Sequence, residues 1–322
     1  MATSSIFNKN DISINLNCYT IRFKTKYSAK DFLAISQAFN NQSFNQIIQN
    51  FVTTIDAEAY VNDANDRIFY IEKGLTLTGS IYTSIIRKGH SGHETNIDEI
   101  KAKKPNKIST ILKGQFSTIP FFLLLCQPAS DSKVLIFIAQ SYKQFGFKEV
   151  FESAFQKFYQ KVYKKSDITC EFRTLSISKL FEEYVEKGSI RNLRFIKHVL
   201  PKNLENLLDS DDDRNPLSYN VEMSISAKTK GFMGIKKNIK FENNSFIEIY
   251  KIEGFEYDEV VADVRLGNRR RVLNISRPSD FSASYDLTEE ADVDINTNHP
   301  DFVKLDKIAI DILSKDIIPN IE

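Results

Sequence analysis

One short segment in the second half of the chain combines many lysines with two adjacent apolar residues, Phe232 and Met233. Residues 228–240 hold five lysines and no acidic residue. Lysine neutralises phosphates and releases counterions, and a projecting aromatic ring stacks on a base. A strand reversal at residues 231–234 would place Phe232 at the tip of a hairpin and the lysines along its arms. The predicted nucleic-acid contacts of this segment are Lys228, Lys230, Phe232, Lys236, Lys237 and Lys240.

Three consecutive arginines form a second candidate site after a predicted hairpin turn at residues 267–268. On a strand, Arg269 and Arg271 share one face and Arg270 lies on the other. At least one face then presents paired guanidinium groups, which suit phosphate. We therefore add Arg269, Arg270 and Arg271 to the predicted nucleic-acid contacts.

Both segments also have purely structural interpretations. In the first segment, Phe232 and Met233 fold back onto the core, or the hairpin contacts a protein partner. In the second, the arginines pair with acidic residues across the hairpin. Those acidic residues are Asp258, Glu259 and Asp263. The sequence alone leaves these alternatives open.

Catalytic and metal-binding motifs are at background level. His90 and His93 have H-x-x-H spacing in a glycine-containing loop, whereas a helical zinc site places its histidines at i and i+4. The acidic run at residues 209–213 lacks the glycine and distal glutamate of a calcium loop. The chain contains no nucleophile elbow, phosphate loop or dinucleotide fingerprint. We expect no catalytic residue, no metal site and no cofactor.

A metal-dependent nuclease remains an alternative function with an unrecognised site. Such an enzyme holds its metal with an acidic residue on one strand and Glu-x-Lys on the next. Residues 99–101 contain Glu-x-Lys, but they follow a predicted loop. Glu222 lies on a predicted strand but lacks the lysine two residues later.

The charge of the chain is patterned, although 43 basic and 42 acidic residues nearly cancel. Residues 1–165 hold 21 basic and 13 acidic side chains, a net charge of +8, while residues 166–322 hold 22 and 29, a net charge of −7. The average charge therefore does not exclude a polyanion partner. In the first half, one basic stretch consists of Lys101, Lys103, Lys104, Lys107 and Lys113.

The elements that position these residues follow from hydrophobic periodicity. Alternation at residues 12–23 predicts a strand with a bulge near Cys18–Tyr19. Helical spacing in the following residues predicts one or two amphipathic helices with a break at residues 40–43. Further strands are predicted at 57–62, 67–73, 75–86, 118–127, 133–140 and 168–175. Residues 87–113 are polar and receive no assignment. Helical spacing at residues 147–163 puts Val150, Phe151, Ala154, Phe155, Phe158 and Val162 on one buried face.

The second half continues with a helix at residues 176–187, capped at Ser176 or Ser178 and stopped by Gly188. Strands are predicted at 190–199, 219–229, 235–241, 245–251, 256–266 and 269–276. A helix at residues 300–318 closes the chain, and the turn before it contains His299. The pattern indicates an α+β fold of mainly antiparallel sheets with a few amphipathic helices. The length favours two domains, an N-terminal α+β domain (1–165) and a C-terminal β-rich domain (166–322).

The central residues 119–151 have a distinctive order of apolar strand (IPFFLLLCQP), polar turn (ASDSK), apolar strand (VLIFIAQ) and amphipathic helix. This segment resembles a pattern in uncharacterised bacterial proteins of anti-phage defence loci. It is also similar to the phage-exclusion protein RexA and to the cytoplasmic subunit of the Kiwa defence system. The resemblance implies a non-enzymatic DNA-binding or sensing component that acts with a partner, often a membrane protein.

Together these observations predict a non-enzymatic nucleic-acid-binding protein, with DNA as the expected partner, in a sensing or effector-support role in phage defence. A homodimer and a nearby-encoded partner protein are also expected. The alternative is a protein-interaction module in which the acidic residues 278–322 and the basic residues 1–165 are docking surfaces for a partner or for a second copy of the chain. No apolar run reaches the roughly 18 residues that span a bilayer, no secretory signal is seen, and the odd number of cysteines excludes a disulfide scaffold. We expect a cytoplasmic protein.

Overall fold

The computed structural model describes residues 13–26, 31–64, 66–91, 94–101, 104–164, 167–198, 221–226, 240–242, 245–247, 255–266, 269–277, 281–294 and 296–321. The first strands are β1 (Ile14–Thr25), β2 (Tyr60–Val61), β3 (Arg67–Thr78), β4 (Ile81–His90), β5 (Thr95–Lys101), β6 (Lys104–Ile111), β7 (Ser117–Cys126), β8 (Leu135–Tyr142), β9 (Phe145–Gly146) and β10 (Ile168–Thr174). The later strands are β11 (Ser189–Lys197), β12 (Val221–Ser226), β13 (Lys240–Glu242), β14 (Ser245–Ile247), β15 (Glu259–Leu266), β16 (Arg269–Asn274) and β17 (Ser284–Asp286). The α-helices are α1 (Ile35–Ala38), α2 (Phe44–Ala57), α3 (Lys148–Tyr163), α4 (Ser178–Lys187) and α5 (Phe302–Ile312).

The fold is α+β, with 26% helix and 46% strand in mainly antiparallel sheets, which confirms the predicted class. Contacts divide the chain into two compact units. The first unit comprises Met1–Leu175 and Leu287–Ile318, and the second comprises Ser176–Asp286 and Pro319–Glu322. This division differs from 1–165 and 166–322 because the segment containing α5 groups with the N-terminal residues.

The first unit is built on an antiparallel sheet with the strand order β1-β8-β7-β4-β3-β2. Strand β10 pairs with β1, and β9 pairs with β8. The predicted bulge near Cys18–Tyr19 is wrong, because β1 stays in continuous register with β8 from Ile14 to Ile21. Residues on both faces of β1 are buried, including the neighbours Thr20 and Ile21. The apparent change of phase therefore reflects burial on two faces rather than an inserted residue.

The break predicted between residues 73 and 75 is also wrong, because β3 continues through Gly74 to Thr78. Two register irregularities, at Ile71/Lys73 and Gly74/Thr76, carry the strand through this stretch. The reversal into β4 comes at Gly79, whose φ of +60° is in the left-handed region that glycine adopts at no steric cost.

Helices α2 and α3 cover one face of this sheet with an aromatic core. The N-cap of helix α2 is Ser43, whose hydroxyl accepts a hydrogen bond from the Gln46 backbone N–H. The helix therefore begins directly after the break predicted at residues 40–43. Helix α3 buries Phe151 against Phe137, with ring centroids 4.3 Å apart. Its predicted boundaries and most of its predicted buried face are confirmed. Val162 is the exception, since it is 38% exposed.

Helix α5 covers the opposite face and contacts β7. Strand β7 alternates, so Phe121 points to the aromatic core while its neighbour Phe122 points away, and both are buried. Leu305 and Ala309 of α5 are buried as well. A helix therefore covers each face of the β1–β8–β7 region, which explains why residues 121–126 of β7 and 135–139 of β8 are apolar in succession.

The second unit contains an antiparallel sheet with the strand order β12-β11-β15-β16-β17. Helix α4 contacts β15. The N-cap predicted at Ser176 or Ser178 is wrong, because the N-cap residue is Ile177 and no side chain caps the helix. The helix stops at Gly188, where an added Cβ would lie 2.1 Å from the Tyr184 carbonyl oxygen and 2.2 Å from a Val264 methyl group. Glycine is needed at position 188 because the end of α4 packs closely against β15.

Candidate nucleic-acid interface

The predicted lysine-rich hairpin falls mostly outside the described residues. Five of its six predicted contacts, Lys228, Lys230, Phe232, Lys236 and Lys237, lie in undescribed positions. Lys240 begins β13, which pairs with β14. Strand β12, predicted to be the other arm, pairs with β11. Among the described pairings, none joins β12 to β13.

The predicted arginine hairpin is present as the antiparallel pair β15–β16. Arg269 lies opposite Leu266, and Arg270 lies opposite Arg265. The backbone thus brings two arginine positions, 265 and 270, directly across from each other. Opposed like charges are unfavourable without an anion or acidic neighbour to screen them.

Arg271 is buried, which corrects the surface position predicted for it. Its side chain is only 5% exposed. The guanidinium carbon lies 4.7 Å from the ring centroid of Tyr184, 5.0 Å from that of Phe281 and 3.9 Å from that of Tyr285. An aromatic cage of three rings therefore holds this cation inside the second unit. It is not available to a polyanion on the surface.

Two of the three acidic residues proposed as alternative partners of the arginine triplet, Glu259 and Asp258, contact Arg277 and Lys197. Glu259 is 8% exposed and lies 2.5 Å from an Arg277 terminal nitrogen and 3.1 Å from His198 Nε2. Asp258 lies 3.7 Å from Lys197 Nζ. In the described part of this unit, these two carboxylates belong to a separate ion-pair cluster beside the hairpin.

Residues 87–113, to which the sequence pattern assigns no element, contain a β-ribbon. Strands β5 and β6 pair antiparallel and make a two-stranded sheet of their own. Seven and eight residues at about 3.3 Å each give the ribbon a length of roughly 25 Å. We call this element the β5–β6 ribbon. Sequence periodicity missed it because a ribbon without a buried face has no alternation of apolar and polar residues.

The β5–β6 ribbon exposes both lysines and isoleucines. Ile97 is 44% exposed, and Ile108 is 60% exposed. Ile108 is the extra residue where the register shifts, because Ile97 pairs with Ser109 and the next residue, Asp98, pairs with Lys107. Lys107 and Lys113 are exposed. Residues 95–113 hold five lysines and two acidic residues, a net charge of +3.

The Glu-x-Lys motif lies on this ribbon, in the stretch to which the sequence pattern assigns no element. Glu99 and Lys101 belong to β5. His90, at the end of β4, has its pKa lowered by burial and by Lys88, while His93 lies outside the described residues. No group of three histidine, cysteine, aspartate or glutamate side chains among the described residues is arranged to hold a metal ion.

A polar cleft of about 580 Å³ in the first unit contains His299. The Tyr142 hydroxyl lies 3.2 Å from His299 Nδ1, and Arg87 donates two hydrogen bonds to Glu72 at 2.9 and 3.0 Å. Burial, followed by Arg87, lowers the pKa of His299, so its imidazole is neutral at neutral pH. His299 precedes Asp301, which caps α5, in agreement with the predicted turn.

In the part of the chain that the structure describes, no helix has the length and apolar character to cross a membrane. No protein-family model matches this chain, and no curated protein matches it either.

Proposed function

We propose that this chain binds duplex DNA through the β5–β6 ribbon. The observation that carries this proposal is a basic two-stranded ribbon that forms its own sheet and is exposed at residues 95–99 and 106–109. The major groove of B-DNA is about 12 Å wide and admits a two-stranded β-ribbon. The deep, narrow major groove of A-form RNA does not admit side chains, so DNA is the preferred duplex.

The lysines and isoleucines of the ribbon have separate roles in this proposal. Lys107 on β6 and Lys113, two residues beyond the end of β6, neutralise phosphates, which contributes affinity without reading sequence. Ile97 and Ile108 contact thymine methyl groups or wedge against a base step. A two-stranded hairpin is marginally stable alone in water. Docking in a groove would hold the ribbon and cover its apolar side chains.

The wider setting of this activity stays a prediction. The resemblance to anti-phage defence proteins supports a cytoplasmic, non-enzymatic role in sensing or effector support. Lys228, Lys230, Lys236 and Lys237 stay predicted nucleic-acid contacts that lie outside the described residues. A homodimer and a partner protein remain predicted, and co-purification with the products of neighbouring genes tests the partner.

A salt titration of DNA binding tests the proposal. The double variant Lys107→Gln/Lys113→Gln should lower the slope of log affinity against log salt by about 2, since each lost phosphate contact removes about 0.9. Fluorescence anisotropy with a labelled duplex measures this slope. The matched control is Lys133→Gln/Lys143→Asn, which removes two exposed lysines from other loops of the first unit and should leave the slope unchanged.

A second variant separates charge from apolar contact. Ile97→Ser/Ile108→Ser should weaken binding about tenfold while the salt slope stays the same, because these side chains touch no phosphate. Absence of duplex binding at low salt, or equal losses in the ribbon and control variants, would overturn the proposed site. If DNA does not bind but the isoleucine variant abolishes self-association, the ribbon is a protein-interaction element.

A further inference from the structure

A groove in the first unit lies between the C-terminal half of α3 and the ends of β1 and β10. Its volume is about 510 Å³, within the size range of small-molecule sites. Lys164, Gln156 and Gln160 line the helical side, and Lys26 lines the other. Tyr159 and Cys170 lie among the more apolar lining residues. The groove is separate from the β5–β6 ribbon in sequence and in sheet.

The described residues that line this groove include two lysines and no carboxylate. Lysines nearby on the same elements form ion pairs, since Lys24 lies 3.5 Å from Glu171 and Lys161 lies 3.4 Å from Glu58. Lys26 and Lys164 form no ion pair with any residue that the structure describes. Two cations that line one groove without ion-pair partners favour an anion between them.

The backbone holds both lysines in place. The Lys164 N–H donates to the Gln160 carbonyl at 3.2 Å, and Lys164 ends α3 in the left-handed conformation with a φ of 52°. The Lys26 N–H donates to the Asp167 carbonyl at 2.7 Å. The backbone thus fixes positions 26 and 164 on opposite sides of the groove, and only the two lysine side chains have to be ordered when they close on one ligand.

The remaining polar groups are neutral. Burial and then Glu152 raise the pKa of the Cys170 thiol well above its usual range, and burial raises that of the Tyr159 hydroxyl. Cys170 therefore supplies no thiolate, and the site is suited to binding rather than to nucleophilic chemistry. Gln156 donates to the Cys170 carbonyl at 3.4 Å, and amide groups of this kind can also hydrogen-bond a base or a sugar.

We propose that this groove binds a small phosphate ester of mononucleotide size. The two lysines take the phosphate, the glutamine amides take polar edges, and the apolar wall formed with Ile168 takes the base. A free phosphate would occupy only part of this volume. The proposal does not rest on DNA binding by the ribbon.

Calorimetric titration with three probes tests the proposal: AMP, inorganic phosphate and adenosine. The expected order of affinity for the wild-type protein is AMP, then phosphate, then adenosine. Lys26→Gln/Lys164→Asn should weaken AMP binding at least tenfold. Asparagine tolerates the left-handed backbone at position 164. The matched control Lys133→Gln/Lys143→Asn contains the same backbone challenge, because Lys143 also has a φ of 52°, and it should bind AMP normally.

The outcomes are distinguishable. AMP that binds no better than adenosine, or that is weakened equally in both double variants, overturns the proposal. Phosphate that binds as tightly as AMP overturns the mononucleotide assignment. The groove variant should keep its DNA affinity and salt slope. If it loses both together with AMP binding, the groove belongs to the nucleic-acid surface and the small-ligand site is overturned. Circular dichroism of each variant confirms that it is folded.

Discussion

Arg271 shows how a single side chain can have a different role from the one that its sequence context indicates. Among its described neighbours, the three guanidinium nitrogens have no hydrogen-bond acceptor. Its favourable contacts are instead with the rings of Tyr184, Phe281 and Tyr285. Cation–π contacts contribute about 2 kcal/mol when desolvated, and the planar guanidinium group stacks on aromatic faces. We therefore regard Arg271 as a packing residue of the second unit.

Substitutions at Arg271 should separate packing from charge. Arg271→Ala should destabilise the protein by about 2–5 kcal/mol, because it leaves a cavity among three rings. Arg271→Met should cost less than half of that, since methionine fills much of the space without burying donors. Urea unfolding followed by tyrosine fluorescence measures both. A methionine variant as unstable as the alanine variant would show that the charge itself is needed, and with it an anionic partner.

At the scale of the element, α3 shows what helical periodicity can and cannot predict. The pattern correctly puts Phe151, Phe155 and Phe158 on the buried face. It misses Tyr159 and Tyr163, which are buried because their hydroxyls have acceptors. Tyr159 donates to the Ala38 carbonyl at 2.8 Å, and Tyr163 donates to Gln42 Oε1 at 2.7 Å. Those acceptors lie far away in sequence, so the spacing of residues within α3 contains no sign of them.

The two kinds of position on α3 should differ sharply in stability. Phe151→Ala should cost about 3–5 kcal/mol, because the ring packs against the aromatic core on several sides. Val162→Ala, on the exposed side of the helix, should change stability by no more than about 0.5 kcal/mol. Thermal unfolding by circular dichroism compares them. Equal losses would mean that the face assigned to α3 is incorrect.

At the scale of the whole molecule, the C-terminal segment is structurally part of the first unit. Helix α5 contacts β7, and Thr76 on β3 donates to Asp306 on α5 at 2.9 Å. The first unit therefore contains both the N-terminal residues, with their net positive charge, and most of the acidic end of the chain. The net charges of the two contact-defined units therefore differ less than the net charges of the two halves of the sequence.

Truncation after Asp286 should disrupt the first unit. Without α5, the buried residues Phe122 and Leu124 face water, and loss of a helix that covers a sheet face exposes a large apolar patch. We expect loss of the near-ultraviolet circular dichroism signal and strong binding of an apolar dye. Removal of residues 321–322 alone is the control. A truncated chain with an unchanged unfolding midpoint would contradict the place assigned to α5.

The sequence by itself determined most of the local structure. Alternation and helical spacing predicted β7, β8, α3 and the β15–β16 hairpin, and Gly188 ends α4 as predicted. These features depend on residues that are neighbours along the chain, so the spacing of apolar residues within a short segment is enough to predict them.

Only the tertiary structure decided which of the basic residues are exposed and which sites they form. Arg271 is buried because the rings of Tyr184, Phe281 and Tyr285 surround it. The β5–β6 ribbon is exposed because no other strand that the structure describes pairs with it. Lys26 and Lys164 face one groove because β1 and α3 are packed side by side. Burial and charge environment depend on partners that are distant in sequence, and folding alone brings those partners together.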